Sequence, residues 1–187
     1  MLDINENMLR KIGILQDKWP WFAGAISIFM LAAAHAFEIF MKLYPCPLCL
    51  HQREVYWVAL GVSAVAVILR HFFDNASMAR ALDALLAVIF LAGAAVAGFH
   101  SGVELHWWNG LPECSGAANV KVSDDLMAAL SKPMSVPKCD QIAWSMFGLS
   151  MANYNMILSI LLAIWSCICA LRGDTGANSF SESKEEA

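Results

Sequence analysis

Charged side chains are scarce in this chain: Asp, Glu, Lys and Arg make up 15% of its 187 residues, against about a quarter in soluble domains. The charges that exist are swept out of several stretches of membrane-spanning length. That arrangement argues against a soluble domain, although the length alone would allow one. There is no basic excess either. The formal net charge is −4, much of it from the Ser/Glu-rich tail 180–187, so the chain carries no electrostatic footprint for nucleic acid. It also has no glycine-rich dinucleotide fingerprint, no C-x-x-C-H haem attachment motif and no internal repeat. What remains is a chain that is 59% hydrophobic, with a mean hydropathy of +0.55.

A helix needs about 20 mainly apolar residues to span a bilayer. Four stretches meet that length: 21–43, 49–70, 81–100 and 151–171. They predict an all-α membrane protein, a bundle of four transmembrane helices. Arg10, Lys11 and Lys18 precede the first span, Arg70 and Arg80 flank the turn 71–80, and Arg172 follows the fourth span. Positive residues favour the cytoplasmic side, so the leader 1–20, the turn 71–80 and the tail 172–187 are expected there. The short loop 44–48 and the long loop 101–150 then face the opposite side. Within the long loop, Ser123, two aspartates and an apolar face of Leu126, Met127 and Leu130 predict a short amphipathic helix over 123–130, lying on the membrane surface. A cleaved signal peptide ending near Ala34-His35-Ala36 is the competing reading of the first span, but the apolar run continues past that site to Leu43.

Four of the six cysteines, Cys46, Cys49, Cys114 and Cys139, fall in or beside the exoplasmic loops, where thiols tend to be paired. On the loop alone, a Cys114–Cys139 disulfide reads equally as a structural staple or as a working redox pair. A staple makes little sense for Cys46-Pro47-Leu48-Cys49, because closing so short a loop constrains the unfolded chain little. Pro47 suits the first turn of a helix, which places Cys49 close to a helix N-terminus, where a thiolate is stabilised. Arg53, one turn further along, adds a permanent positive charge at the membrane boundary, a placement that marks functional sites; snorkelling is its bland alternative. A four-thiolate zinc site lacks the second closely spaced pair that zinc ribbons show, and no metal centre is expected. Cys167 and Cys169, near the other end of the fourth span, read as small apolar packing residues.

His35 and His100 lie in the halves of spans nearest the cysteine loops. They could clamp a haem between helices, which leaves a four-helix haem- or metal-binding electron carrier as the alternative function. His35 reads otherwise as a bundle-interior residue or part of a proton route, and His100 as a residue that ends a helix. Glu38 either tunes a bound electron carrier or sits at the rim. A membrane subunit stapled by inert disulfides is a third possibility. Making a disulfide releases two electrons and two protons, and the natural membrane-soluble acceptor of both is a quinone.

The run Tyr44-Pro45-Cys46-Pro47-Leu48-Cys49-Leu50-His51-Gln52-Arg53, the loop cysteines Cys114 and Cys139, and Phe147-Gly148-Leu149-Ser150-Met151 before the last span together resemble the DsbB family of bacterial disulfide-forming membrane proteins. The resemblance covers nearly all of the chain. It implies a thiol:quinone oxidoreductase of the inner membrane that reoxidises a periplasmic DsbA-like dithiol oxidase. Cys46–Cys49 would be the pair oxidised by ubiquinone or menaquinone, with Cys49 nearest the ring and Arg53 helping to bind and polarise it; Glu38 and His35 join the cofactor-binding candidates from their place in the first span. Cys114, paired with Cys139, would form the mixed disulfide with the partner, and Cys139 would then attack Cys46. A second quinone-linked family, resembling vitamin K epoxide reductase, places its C-x-x-C after the loop cysteines; here it comes first.

Overall fold

Proline and asparagine decide where the helices begin. The computed structural model describes residues 15–73, 75–115 and 138–171. Helix α1, Trp19–Met41, carries Pro20 in its first turn and stops where Lys42 adopts the left-handed conformation (φ 55°), two residues ahead of Tyr44-Pro45. Helix α2, Pro47–Phe72, starts on a proline whose missing N–H would have no partner there. Helix α3, Ala76–Glu104, is capped by Asn75, whose side-chain oxygen accepts from the N–H groups of Ser77 (3.0 Å) and Met78 (3.1 Å). Helix α4, Met151–Leu171, follows a two-residue hairpin in which β1, Ser145–Met146, pairs antiparallel with β2, Leu149–Ser150. Its turn residues Phe147 (φ 50°) and Gly148 (φ 78°) both have positive φ, the geometry that matches strand twist in tight hairpins.

Among the described residues, four helices of 23, 26, 29 and 21 residues are long and apolar enough to cross a membrane. They pack in chain order, α1 on α2, α2 on α3 and α3 most extensively on α4. The core is filled by Leu31, Tyr56, Leu86, Phe90 and Leu162, among others. Gly93 lets α2 and α3 approach closely, since a Cβ there would lie 3.0 Å from Val55 Cγ1, the use of small residues typical of membrane bundles. Large apolar side chains such as Phe29, Trp57, Val88 and Leu161 point outward and stay exposed, as expected where the surroundings are lipid tails. At the end opposite Cys46, Arg70 pairs with the buried Asp83 at 2.7 Å.

Three helices have ends that differ from the sequence reading: α1 is Trp19–Met41 rather than 21–43, α2 is Pro47–Phe72 rather than 49–70, and α3 is Ala76–Glu104 rather than 81–100. The extra turn at the end of α3 is not a solvated rim: His100, Ser101, Gly102, Val103 and Glu104 are all buried. The hairpin is an addition, because two-residue strands leave no alternating pattern to read. The surface helix predicted over 123–130, the first fourteen residues and the tail 172–187 lie outside the described residues.

Candidate dithiol site at the mouth of the bundle

Pro47 restricts the residue before it to extended geometry, and Cys46 obeys with φ −76° and ψ 166°. That is the geometry of a helix N-cap, and the Cys46 sulfur does the work of a capping hydroxyl by accepting the Cys49 N–H at 3.2 Å. The helix then stacks Cys49, Gln52, Arg53 and Tyr56 at intervals that keep them on neighbouring faces. Both thiols are free; Cys46 is buried and Cys49 half-buried. The predicted Cys46–Cys49 bond is thus open here, with the two residues held as a dithiol. A hydrogen bond shared with Cys49, then burial, then the charge of Cys49 push the Cys46 thiol above its ordinary range.

The third member of the site is His100. Its Nε2 lies 3.7 Å from Cys46 Sγ, and the sulfurs of Cys46 and Cys49 and a ring nitrogen of His100 all fall within 4.8 Å of one another. The residue does not merely end a helix, and the reading of it as a terminus is corrected. Behind it runs a buried polar chain. Gln52 Nε2 donates to His100 Nδ1 (2.8 Å), Asn155 Nδ2 donates to Gln52 Oε1 (2.5 Å), and Tyr56 OH donates to Asn155 Oδ1 (2.6 Å) and lies 3.2 Å from Ser159 Oγ. Every buried polar group in that chain is satisfied, as a low-dielectric interior requires. Glu104 borders the site, with Oε1 3.9 Å from His100 Nε2 and its other oxygen accepting from Ser150.

Arg53 donates to Glu38 Oε2 at 2.7 Å and to the Ala34 carbonyl at 3.2 Å. The pair ties α2 to α1 one turn below Cys49, and both side chains are partly exposed. His35 is exposed and bonds through Nδ1 to the carbonyl of Leu31, one turn back on its own helix, at 2.8 Å. It is not a bundle-interior residue, because an outward-facing position lets its own helix satisfy it. The two histidines considered as a haem clamp therefore have unlike surroundings, one on the outer face and one beside the thiols.

Cys114, in the 3-10 turn Pro112–Ser115, is disulfide-bonded to Cys139 across a sequence separation of 25, and both are buried. The fold brings all four loop cysteines together: Cys46, Leu48, Val103, Cys114 and Cys139 form one cluster, with Cys49, Phe99 and Leu111 packed against it. Over this cluster, Trp108 stacks on Phe99 at 5.9 Å and donates to its carbonyl at 2.9 Å. The Trp108 ring lies against Gly102, where any Cβ would fall 2.0 Å from it, so only glycine fits. A cavity of about 300 Å³ beside Cys114, bordered by His106, Trp108 and Asp140, opens to solvent. Cys169 is buried in the core, while Cys167, two residues earlier on α4, is exposed.

Sequence reasoning missed His100, Gln52, Asn155 and Glu104 as parts of the site. One signal was available: Gln52 follows Cys49 by three residues and Asn155 interrupts the apolar run of the fourth span.

Two close thiols beside a buried disulfide are chemistry of thiol–disulfide exchange. The family profile described as Disulfide bond formation protein DsbB matches residues 16–169 of the chain. The chain belongs to the DsbB family. Proteins named Disulfide bond formation protein B are similar to it in Azoarcus sp. (strain BH72), 31% identical over 165 residues covering 82% of this chain and 95% of the relative, and in Methylococcus capsulatus, 30% identical over 145 residues covering 74% and 84%. A third, from Xylella fastidiosa (strain Temecula1), is 23% identical over 175 residues covering 88% and 98%. No solved structure matches the chain. The DsbB membership and the four apolar helices make it a multi-pass membrane oxidoreductase of disulfide bond formation.

Proposed function

We propose that this DsbB-family protein is a thiol:quinone oxidoreductase that reoxidises a periplasmic DsbA-like dithiol oxidase and passes the electrons to ubiquinone or menaquinone. The observation that carries the reading is the single cluster holding Cys114–Cys139 against Cys46 and Cys49. In this reading loops 44–48 and 101–150 lie in the periplasm, and leader, turn and tail lie in the cytoplasm of a bacterial inner membrane.

The exchange steps balance. A partner thiolate attacks Cys114, breaking the Cys114–Cys139 bond and releasing Cys139 as a thiolate. Cys139 attacks Cys46, breaking a Cys46–Cys49 disulfide and releasing Cys49 as a thiolate. The partner's second thiol displaces Cys114, leaving the partner oxidised. Cys114 then displaces Cys46, which restores the Cys114–Cys139 bond and leaves Cys46 and Cys49 as the dithiol. A bound quinone supplies the acceptor for the two electrons and two protons that must leave that dithiol to close it again.

The residues beside Cys49 suit such an acceptor. Arg53 has five N–H donors, of which one goes to Glu38 and one to Ala34. The others can bind and polarise a quinone oxygen, while Glu38 orients the guanidinium and His35, one turn from Glu38, lines the lipid side. With Nδ1 accepting from Gln52, His100 Nε2–H is placed to donate to Cys46 Sγ and to stabilise its thiolate. The test mixes purified protein, a reduced DsbA-like partner and a soluble quinone analogue, and follows quinone absorbance. Turnover is expected to vanish in Cys49→Ala and to persist in Cys167→Ala; turnover that survives Cys49→Ala overturns the reading.

A further inference from the structure

Cys114 and Cys139 supply no second close pair to complete a zinc site with Cys46 and Cys49, but the fold brings a third ligand from another helix. We propose that the dithiol form of this site binds one zinc ion through Cys46 Sγ, Cys49 Sγ and His100 Nε2, and that zinc thereby withdraws both sulfurs from exchange. Zinc bonds of about 2.3 Å to sulfur and about 2.0 Å to nitrogen in tetrahedral geometry place ligand atoms about 3.5–3.8 Å apart. Cys46 Sγ and His100 Nε2 already stand 3.7 Å apart, and both sulfurs and a ring nitrogen of His100 lie within 4.8 Å of one another.

Three further features fit a borderline-soft cation. Two thiolates cancel the charge of Zn²⁺, so a neutral complex forms at a boundary where net charge is costly. The balance is one Zn²⁺ and two thiols giving a bis-thiolate and two protons, with no change of oxidation state. The outer shell exists too, because Gln52 holds His100 Nδ1 and is itself held by Asn155 and Tyr56. A half-turn of both amides keeps every bond in that chain and reverses its polarity. Nδ1 is then the protonated nitrogen, bonded to Gln52 Oε1, and Nε2 offers its lone pair. Glu104 Oε1, 3.9 Å from Nε2, borders the fourth position, and half-buried Cys49 gives access from outside. A closed Cys46–Cys49 disulfide offers no thiolate, so the proposed site belongs to the reduced state alone.

The binding needs only the dithiol; its effect on turnover rests on the function proposed above. Full-length protein in detergent, reduced with a phosphine, is titrated with Zn²⁺ against a chromophoric chelator, and with Co²⁺ as a spectroscopic probe. One tight Zn²⁺ per chain is expected, with a thiolate-to-cobalt band and tetrahedral d–d bands in the Co²⁺ form. Cys46→Ser, Cys49→Ser and His100→Ala should each weaken binding about tenfold or more, His100→Cys should restore it, and Cys167→Ser should leave it unchanged. Because the phosphine also opens Cys114–Cys139, the titration is repeated on Cys114→Ser/Cys139→Ser, with the same stoichiometry expected. Absence of the cobalt bands, affinity within twofold of the parent in any of the three ligand variants, or equal binding by oxidised protein overturns the proposal. None of these readouts involves quinone, so failure here leaves the turnover assay standing, and failure of that assay leaves this one interpretable.

Discussion

Removing the Cys49 sulfur takes away the largest influence on its neighbour. Cys46 is raised first by the hydrogen bond it shares with Cys49, then by burial, then by the Cys49 charge. A raised thiol carries less thiolate at any given pH, and thiolate is the form that is alkylated. Alkylation of Cys46 in the reduced protein should therefore keep rising with pH through the alkaline range, without the plateau an ordinary thiol reaches. In Cys49→Ala two of the three raising causes disappear. The plateau should move to lower pH and the rate at pH 8 should increase, which mass spectrometry of iodoacetamide adducts measures. An unchanged pH profile would show that burial alone sets the Cys46 thiol. The cysteines, Arg53 and their order were legible as residues because each is unusual at a membrane boundary. His100 was not, because a histidine near the end of an apolar run looks the same whether it caps a helix or faces a sulfur 54 residues away on another helix.

Between α2, α3 and α4 the polar chain from His100 to Ser159 acts as a cross-brace. Asn155 receives Tyr56 and donates to Gln52, so Asn155→Leu leaves Gln52 Oε1 without its donor and Tyr56 with Ser159 alone. A loss of about 1–3 kcal/mol is expected. Tyr56→Phe removes one hydroxyl whose acceptor keeps a second contact, from Ser159 Oγ at 3.4 Å, and should cost about 1 kcal/mol. Denaturation in detergent measures both, and the double variant should lose less than the sum because the two side chains share one network. The four helices themselves were readable from apolar length. Their ends were less so: the last turn of α3 is polar in composition yet buried, since Gly102 admits Trp108 and Glu104 meets Ser150. Composition along one helix carries no information about what the next element lays over it.

For the molecule as a whole, both cysteine pairs sit at one end of the bundle and the Arg70–Asp83 pair at the other. In the topology proposed from the lysine and arginine distribution, the first end lies in the periplasm. In intact cells treated with a reductant, a membrane-impermeant maleimide should then label the Cys114/Cys139 pair and spare Cys167 until the membrane is broken. Gel-shift of single-cysteine variants reads this directly, and labelling of Cys167 alone in intact cells would invert the topology. The bundle as an architecture was evident from the chain because lipid imposes length and apolarity on each span. The meeting of Cys139 with Cys46 was not, because it depends on how a long loop folds back over the helix ends.

The sulfur that caps α2 has one more consequence. A helix cap contributes about 1 kcal/mol, and here the acceptor is a group that changes its bonding each time it is oxidised. A sulfur drawn into a bond with Cys49 is a poorer acceptor for the Cys49 amide, so the first turn of the helix should loosen on oxidation and tighten on reduction. Hydrogen–deuterium exchange at the amides of Cys49 and Leu50 would then run faster in the oxidised protein than in the reduced one, making the opening turn of a single helix a gauge of the electron count it serves.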